Sequence, residues 1–498
     1  MLRRIRYADI SLSLQGKIMA LNSGIQLLTI NERLPPEIMS DIFMESCTTL
    51  TRPLDSDGIV KKDLSTPSQL NLTSVCRLWR SIAHSTPALW TSLRIYIPCR
   101  DIPQRIQDIQ QWLSRSGQLP LSIQVYSSRL RLQLSNSLVY ELFDLIESYS
   151  HRWENLEIRV KRDLLHCFRS STISPSTLKT LILVPHSISP YDEAQSLDFG
   201  TSIPSPTHVS LSTSYVWPVK IRWNNVTYFA AGDIYVDEAL KILQRSPQLQ
   251  ECFLFVLGKD TMDFSLSPPF LHARLETLHV SFYGEGILDL LLDSISLPSL
   301  KHLHYYDVHF HTLRIDSMIK LLNRSGCSLK SFSLAGTHDA TEDMIIRLLF
   351  AMPHLETLTL GPSYDSDCPY ITDRILNMFA DTAAITTHLD DRLGEPFLPK
   401  LRSFKYSGIQ KFSWSLLPSV FGSRRGAWEF HASGSSKNNQ RPLHRFRMEL
   451  YVLQKPGESI IAELKRLKAE EGYDINILDL SAGIIYTDDL DICNINQH

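Results

Sequence analysis

The stretch "LETLHV" at Leu275–Val280 returns as "LKHLHY" at Leu300–Tyr305, "LKSFSL" at Leu329–Leu334 and "LETLTL" at Leu355–Leu360. With "LQECFL" starting at Leu249, the copies advance by 26, 25, 29 and 26 residues. Each has an apolar residue, two variable ones, an apolar one, one variable and a last apolar one. The second half alternates with period two, the signature of a strand with one buried face. Later copies are "LRSFKY" (Leu401–Tyr406) and "LHRFRM" (Leu443–Met448); weaker ones start at Trp90, Trp153, Leu178 and Val226. Segments such as "EALKILQRSPQ" (Glu238–Gln248) and "TEDMIIRLLFAMPH" (Thr341–His354) lie between copies and follow the 3.6 period, with a proline before the next strand. One short strand plus one helix per repeat, at a period of 20 to 29 residues, predicts a leucine-rich-repeat-like solenoid with a curved parallel sheet.

The same alternation assigns faces. If Leu275, Leu278 and Val280 point inward, then Thr277 and His279 point outward, and so do His302, His304, Tyr306, Ser331, Ser333, Thr357 and Thr359. These nine residues form the expected partner-binding strand face. Spacings of 46 and 42 after Leu355 and Leu401 imply insertions or missed repeats after 360, and "HASGSSKNNQRP" (431–442) reads as an excursion to solvent. The final "GESIIAELKRLKAEEGYDINILDL" reads as a helix and a strand that cap the stack.

Composition narrows the function. Lysine and arginine number 50 against 53 acidic residues, so no global positive field draws the chain to nucleic acid or to an acidic membrane. No apolar run is long enough to span a bilayer. The eight cysteines are scattered without a C-x-x-C pair, which reads as reduced, mostly buried thiols in the cytoplasm or nucleus. Nucleophile-elbow, zincin, P-loop and dinucleotide-binding motifs are all absent, and a solenoid favours broad binding surfaces over deep pockets. No cofactor is expected. His302 and His304 share a strand face ahead of His309 and His311, but only Asp307 is near to complete a ligand set, so no metal site is assigned.

The N-terminal part reads differently. In "NERLPPEIMSDIF" (Asn31–Phe43) two prolines head a helix, because the first helical position loses nothing by lacking an N–H. Ile38, Met39, Ile42 and Phe43 then form an apolar stripe. Residues 51–69 mix Pro, Gly, Ser, Asp and Lys as a loop. Leu72, Val75, Cys76 and Trp79 follow at i, i+3, i+4 and i+7, predicting one buried helical face that continues through Ile82, after which Thr86 and Pro87 start another turn with Thr86 as cap.

The order L-P-x-E (Leu34, Pro35, Glu37), V-C-x-x-W (Val75, Cys76, Trp79) and L-W (Leu89, Trp90) resembles the F-box, and an F-box followed by degenerate leucine-rich repeats is similar to large F-box-like families of mushroom-forming fungi. The resemblance implies a three-helix module over 31–92, with 51–69 as an inserted loop, that docks a Skp-type adaptor of a cullin-RING ubiquitin ligase. Residues 93–498, the solenoid, would hold a protein substrate. Residues 1–30 form a preceding segment, helical or poorly ordered. Carried over, Leu34, Pro35, Glu37, Ile38, Ile42, Val75 and Trp79 supply the module core and adaptor-binding face, which the sequence does not divide. The expected function is therefore a non-catalytic substrate-recognition adaptor. Two alternatives stand beside it: a repeat scaffold without ligase function, and an enzyme that uses the polar strand face.

Overall fold

The computed structural model describes residues 34–47, 68–97, 102–127, 136–160, 177–184, 203–212, 219–258, 269–282, 287–307, 315–337, 340–361, 370–385, 396–421, 443–481 and 484–486, with 164, 199 and 313 as single residues. The segments read as 1–30 and 431–442, most of the loop 51–69, and His309 and His311 lie outside them. The described residues fall into two compact units, one within Met1–Leu178 and Phe199–Ser202, the other within Lys179–Asp198 and Ile203–His498.

In the first unit, helices α1 (Pro36–Cys47), α2 (Ser68–Val75) and α3 (Arg77–His84) lead through a 3-10 turn at Pro87–Trp90 into strand β1 (Ser92–Ile97). Helix α4 (Ile102–Arg115), β2 (Leu121–Ser127), α5 (Asn136–Ser148) and β3 (Trp153–Arg159) follow, and β1, β2 and β3 pair in parallel. Trp90 joins the helices to the repeats. Fully buried, it donates its indole N–H to the Ala83 carbonyl at 2.8 Å, meets Trp112 of α4 edge-on with ring centroids 4.8 Å apart, and lies under the Arg115 guanidinium. The terminal L-W pair is thus an anchor, since Leu89 is buried as well.

The continuous helical face expected from Leu72 to Ile82 is not what forms. Cys76 is extended (φ −157°, ψ 172°) and splits the segment into α2 and α3, with Val75 turned to solvent at 58% exposure. The break has a compensating contact: the Cys76 sulfur accepts the Trp79 N–H at 3.4 Å and so caps α3. Thr86 does not cap the following turn with its side chain. Its hydroxyl instead donates to the Ile82 carbonyl at 2.8 Å and lies 3.0 Å from the Ser40 hydroxyl, tying α3 to α1.

The second unit is a sheet in which spatial order follows chain order: β4 (Thr180–Leu183), β5 (His208–Ser212), β6 (Tyr228–Tyr235), β7 (Glu251–Gly258), β9 (Thr277–Phe282), β11 (His302–Asp307), β12 (Ser331–Ala335), β13 (Thr357–Gly361), β14 (Ser403–Ile409), β15 (Arg445–Tyr451) and β16 (Asp474–Asp479). These pair in parallel, and β17 (Ile484–Ile485) closes the end antiparallel. Strands β8 (Phe270–Leu271) and β10 (Ile295–Ser296) form a separate short parallel pair. Helices α6 (Val236–Arg245), α7 (Ile287–Asp293), α8 (Ile315–Ser325), α9 (Glu342–Phe350), α10 (Asp373–Ile385) and α11 (Glu458–Glu470) lie in the connections.

The repeat pattern has a direct physical reading. Its first apolar residue (Leu249, Leu275, Leu300, Leu329, Leu355, Leu401, Leu443) is buried at the corner before each strand. The carbonyl of the second residue accepts two N–H groups from the next copy. Gln250 O takes Glu276 and Thr277, Glu276 O takes Lys301 and His302, and Lys301 O takes Lys330 and Ser331, at 2.7–2.9 Å. β13 pairs directly with β14, and β14 with β15, so no strand stands between them in the sheet despite the long spacings after 355. The expected helix per repeat does not hold everywhere: among its described residues, the β5–β6 connection has only a 3-10 turn at Trp223–Asn225. Mostly buried thiols were expected, yet of the described cysteines only Cys252 is fully buried, and Cys47, Cys76 and Cys327 are half-buried.

Candidate functional site

The N-terminal module separates core from surface along α1. Met39 and Phe43 are buried, and Phe43 packs on the Trp79 ring at a centroid distance of 4.9 Å. Ile38 and Ile42, one turn apart and about 100° around the helix from that buried pair, are each 46% exposed. Arg80 of α3 reaches back to the Thr73 carbonyl at 2.8 Å, and buried Gln69 of α2 donates to the Leu89 carbonyl at 3.3 Å. The V-C-x-x-W-R run is therefore a local lock in which the thiol caps, the indole packs and the guanidinium ties one helix to the next.

Of the module residues named from sequence, Ile38, Ile42 and Val75 are exposed apolar groups, and Trp79 is half-buried against Phe43. Leu34 is half-buried. Pro35 is exposed, and its carbonyl accepts the Met39 N–H; Glu37 is exposed in the first turn, where a carboxylate favours the helix start. Leu70 and Leu78 are exposed too, and sequence reasoning passed over them because neither occupies a motif position. Five apolar side chains, Ile38, Ile42, Leu70, Val75 and Leu78, are thus exposed on the three helices.

The strand face of the second unit is built by register. Across β7, β9, β11, β12, β13, β14 and β15 the outward residues line up as Phe253, His279, His304, Ser333, Thr359, Lys405 and Arg447. The neighbouring row carries Glu251, Thr277, His302, Ser331, Thr357, Ser403 and Arg445. All nine strand-face residues named from sequence lie on these rows or, for Tyr306, on the next, beside Ser281 and Ala335. Tyr306 is 52% exposed and the other eight are half-buried.

Part of the face is an aromatic ladder. His208 stacks on Tyr228, Tyr228 leans on Phe253 at 5.2 Å, Phe253 stacks on His279 at 4.2 Å, and His279 and His304 stack with nearly parallel rings (3°) at 3.9 Å. Burial, reinforced by the charges of His304 and His302, holds the His279 pKa down at about 4. Burial and then His302 lower that of His304 as well. Both imidazoles are therefore neutral near pH 7 and behave as aromatic surface. Tyr228 and Phe253 were not singled out in the sequence, although the outward positions of the copies starting at Val226 and Leu249 contain them. Past His304 the outward residues shrink to serine, threonine and alanine, then turn charged, where Lys405 pairs with Glu449 at 2.8 Å and Arg445 with Asp474 at 3.0 Å. Among the described residues no group of histidine, cysteine and carboxylate side chains could hold a metal ion, and no helix is long and apolar enough to cross a membrane.

Comparison with known proteins bears on the first of these surfaces. Residues 31–96 match the F-box-like family. The matched span runs from the residues before α1 into β1, and takes in both the lock and the exposed apolar groups of the module. No curated protein matches the chain. Among solved structures, a Bacteroides fragilis protein aligns at 12% identity and a TM-score of 0.27, covering 49% of this chain and only 65% of its own length. A chain of the yeast Rad7–Elc1 complex aligns at 13% identity and a TM-score of 0.28, covering 74% of this chain and 94% of its own. Both scores are too low to imply a shared fold.

Proposed function

We propose that the chain is a substrate-recognition adaptor of an SCF-type cullin-RING ubiquitin ligase, acting in the cytoplasm or nucleus. Its F-box-like module docks a Skp-type adaptor and its strand face holds a target protein. The observation that carries this reading is the division of α1, where Met39 and Phe43 fill the module while Ile38 and Ile42 remain exposed inside the span matching the F-box-like family. Val75, Leu70 and Leu78 extend the docking surface. Leu34, Pro35, Glu37 and Trp79 shape it, Trp79 by bracing Phe43 and Glu37 by favouring the start of the helix that bears the isoleucines.

On the target side, the ladder ending at His304, with Tyr306 beside it, offers aromatic area that carries a hydroxyl, the kind of side chain that dominates binding hot spots. Thr277, His279, His302, Ser331, Ser333, Thr357 and Thr359 supply the surrounding polar contacts. The chain does no bond chemistry of its own in this account; it raises the local concentration of target at the ligase. The test is reconstitution of the full chain with a recombinant Skp-type adaptor and cullin on a sizing column. Co-elution as one complex is expected. Separate elution would leave a repeat scaffold without ligase function.

A further inference from the structure

The rungs of the aromatic ladder follow the spacing of the strands beneath them. From His208 to His304 the ring centroids lie 5.7, 5.2, 4.2 and 3.9 Å apart, against about 4.8 Å between neighbouring strands. A ring on β12 would continue the stack, but the residue paired with His304 there is Ser333. The same step occurs on either side of it, where His302 is paired with Ser331 and Tyr306 with Ala335. On β13 the three positions hold Thr357, Thr359 and Gly361. Three rings of β11 thus stand as a wall along a shelf of small residues two strands wide. One face of the His304 imidazole is covered by His279, with the rings parallel to within 3°, and the other looks over Ser333. Among the described residues no second ring meets that face, and Tyr306 is 52% exposed beside it.

The far side of the shelf is charged, and most of that charge is matched within the sheet. Lys405 pairs with Glu449 at 2.8 Å and Arg445 with Asp474 at 3.0 Å. Arg447, exposed and on the same row as His304 and Ser333, has neither a hydrogen bond nor an ion pair among the described residues. The surface therefore fits a ring at one end and a negative charge at the other. Strands β12 and β15 are three spacings apart, about 14 Å, which an extended chain covers in about four residues at ~3.3 Å each. Residues four apart also point to the same side of such a chain.

Resting on the reading that the strand face holds the target, we propose that the shelf seats an extended segment of the target protein with an aromatic side chain stacked on His304 above Ser333 and a carboxylate, about four residues away, on Arg447. The partner's ring is the next rung of the ladder, and it covers the aromatic face that the chain's own residues leave open. In the test, phage-displayed random dodecapeptides are selected at pH 7 against the immobilised full chain, and the enriched peptides are synthesised and titrated into wild type and folded variants. They should share a Phe, Tyr or Trp with an Asp or Glu about four residues away. Ser333→Trp gives the chain a rung of its own and should weaken them at least about tenfold with an unchanged melting curve. Ser333→His, which extends the ladder with a ring already in it, should do the same and serves if tryptophan disturbs the fold. Arg447→Gln should weaken them about threefold. Failure to enrich any peptide, arginine in place of the ring, or binding undiminished by the Ser333 or the Arg447 substitutions would overturn the proposal. The wider reading fails separately. Peptides that lose binding in His304→Ala/Tyr306→Ala but keep it with Ser333 substituted would leave the strand face as the target site and refute the added rung, whereas peptides indifferent to both would remove the strand face as well.

Discussion

Leu278→Ala and Thr277→Ala, adjacent substitutions in β9, should differ by orders of magnitude in their effect. Leu278 is fully buried, and its cross-strand partners Cys252 and Leu303 are buried on either side. The substitution removes three carbon atoms, worth about 2.4 kcal/mol in transfer free energy at ~0.8 each. The cavity left between two strands of a parallel sheet raises the cost to roughly 3–5 kcal/mol. Thr277 lies on the opposite face, half-buried, and its replacement should cost no more than about 0.5 kcal/mol. In a solenoid such damage is local, so the suitable assay is native-state hydrogen exchange of the β9 and β11 amides. Leu278→Ala should speed their exchange roughly a hundredfold or more, since about 1.4 kcal/mol corresponds to a factor of ten. Leu358 and Thr357 in β13 form an independent copy of the experiment, with the same burial contrast. Equal sensitivity at Leu278 and Thr277 would refute the register, and the assignment of the strand face with it.

Three further outcomes follow from particular contacts. Gly336 has φ +82° and a Cβ placed there would lie 2.0 Å from the Asp307 carbonyl oxygen, so Gly336→Ala should lower the denaturation midpoint sharply, while Gly457→Ala, with open space around its Cβ, should not. Acid should weaken the second unit. Buried His272 accepts the Leu275 N–H on Nδ1, its Nε2 lies 3.0 Å from the Ser246 carbonyl, and burial lowers its pKa; His279 is held near 4 for a related reason. A histidine whose folded pKa is depressed stabilises fully above its unfolded value of 6.5 and loses that contribution as pH falls through the folded one, so denaturation midpoints should drop between pH 6.5 and 4 and stay level above 7. Tyr306→Ala combined with His304→Ala should weaken capture of the principal target protein at least about tenfold in quantitative affinity capture, leaving adaptor binding unchanged.

How much of this was legible depended on whether a residue's role lay in a repeating pattern or in a single contact. Strands beginning with a large apolar corner residue were readable even in weak copies: "WTSLRI" became β1 and "VTYFAA" opened β6. Strands β2 and β5 escaped because their corners depart from the pattern. By register the corner positions, three before Ile123 and Val209, are Pro120 and Pro206, although both strands alternate afterwards. In the module, the motif located the helices, but helical spacing alone could not divide Ile38 and Ile42 from Met39 and Phe43, because adjacent apolar pairs serve either side of a helix equally well. The break at Cys76 was hidden for a similar reason. Apolar spacing continues across it, and only the thiol's role as a cap, a contact made in three dimensions, marks the end of α2.

The adaptor account is tested most directly by the affinity of the full-length Ile38→Asp/Ile42→Asp variant for a recombinant Skp-type adaptor, measured beside its melting curve. Both side chains are half-exposed in the free module, so folding should be unaffected. Docking would have to desolvate two carboxylates without partners and would forgo about 1 kcal/mol of apolar burial per isoleucine, so affinity should fall more than a hundredfold, about 2.7 kcal/mol. Wild-type affinity in a folded double variant would contradict the claim that this face of α1 is where the adaptor docks.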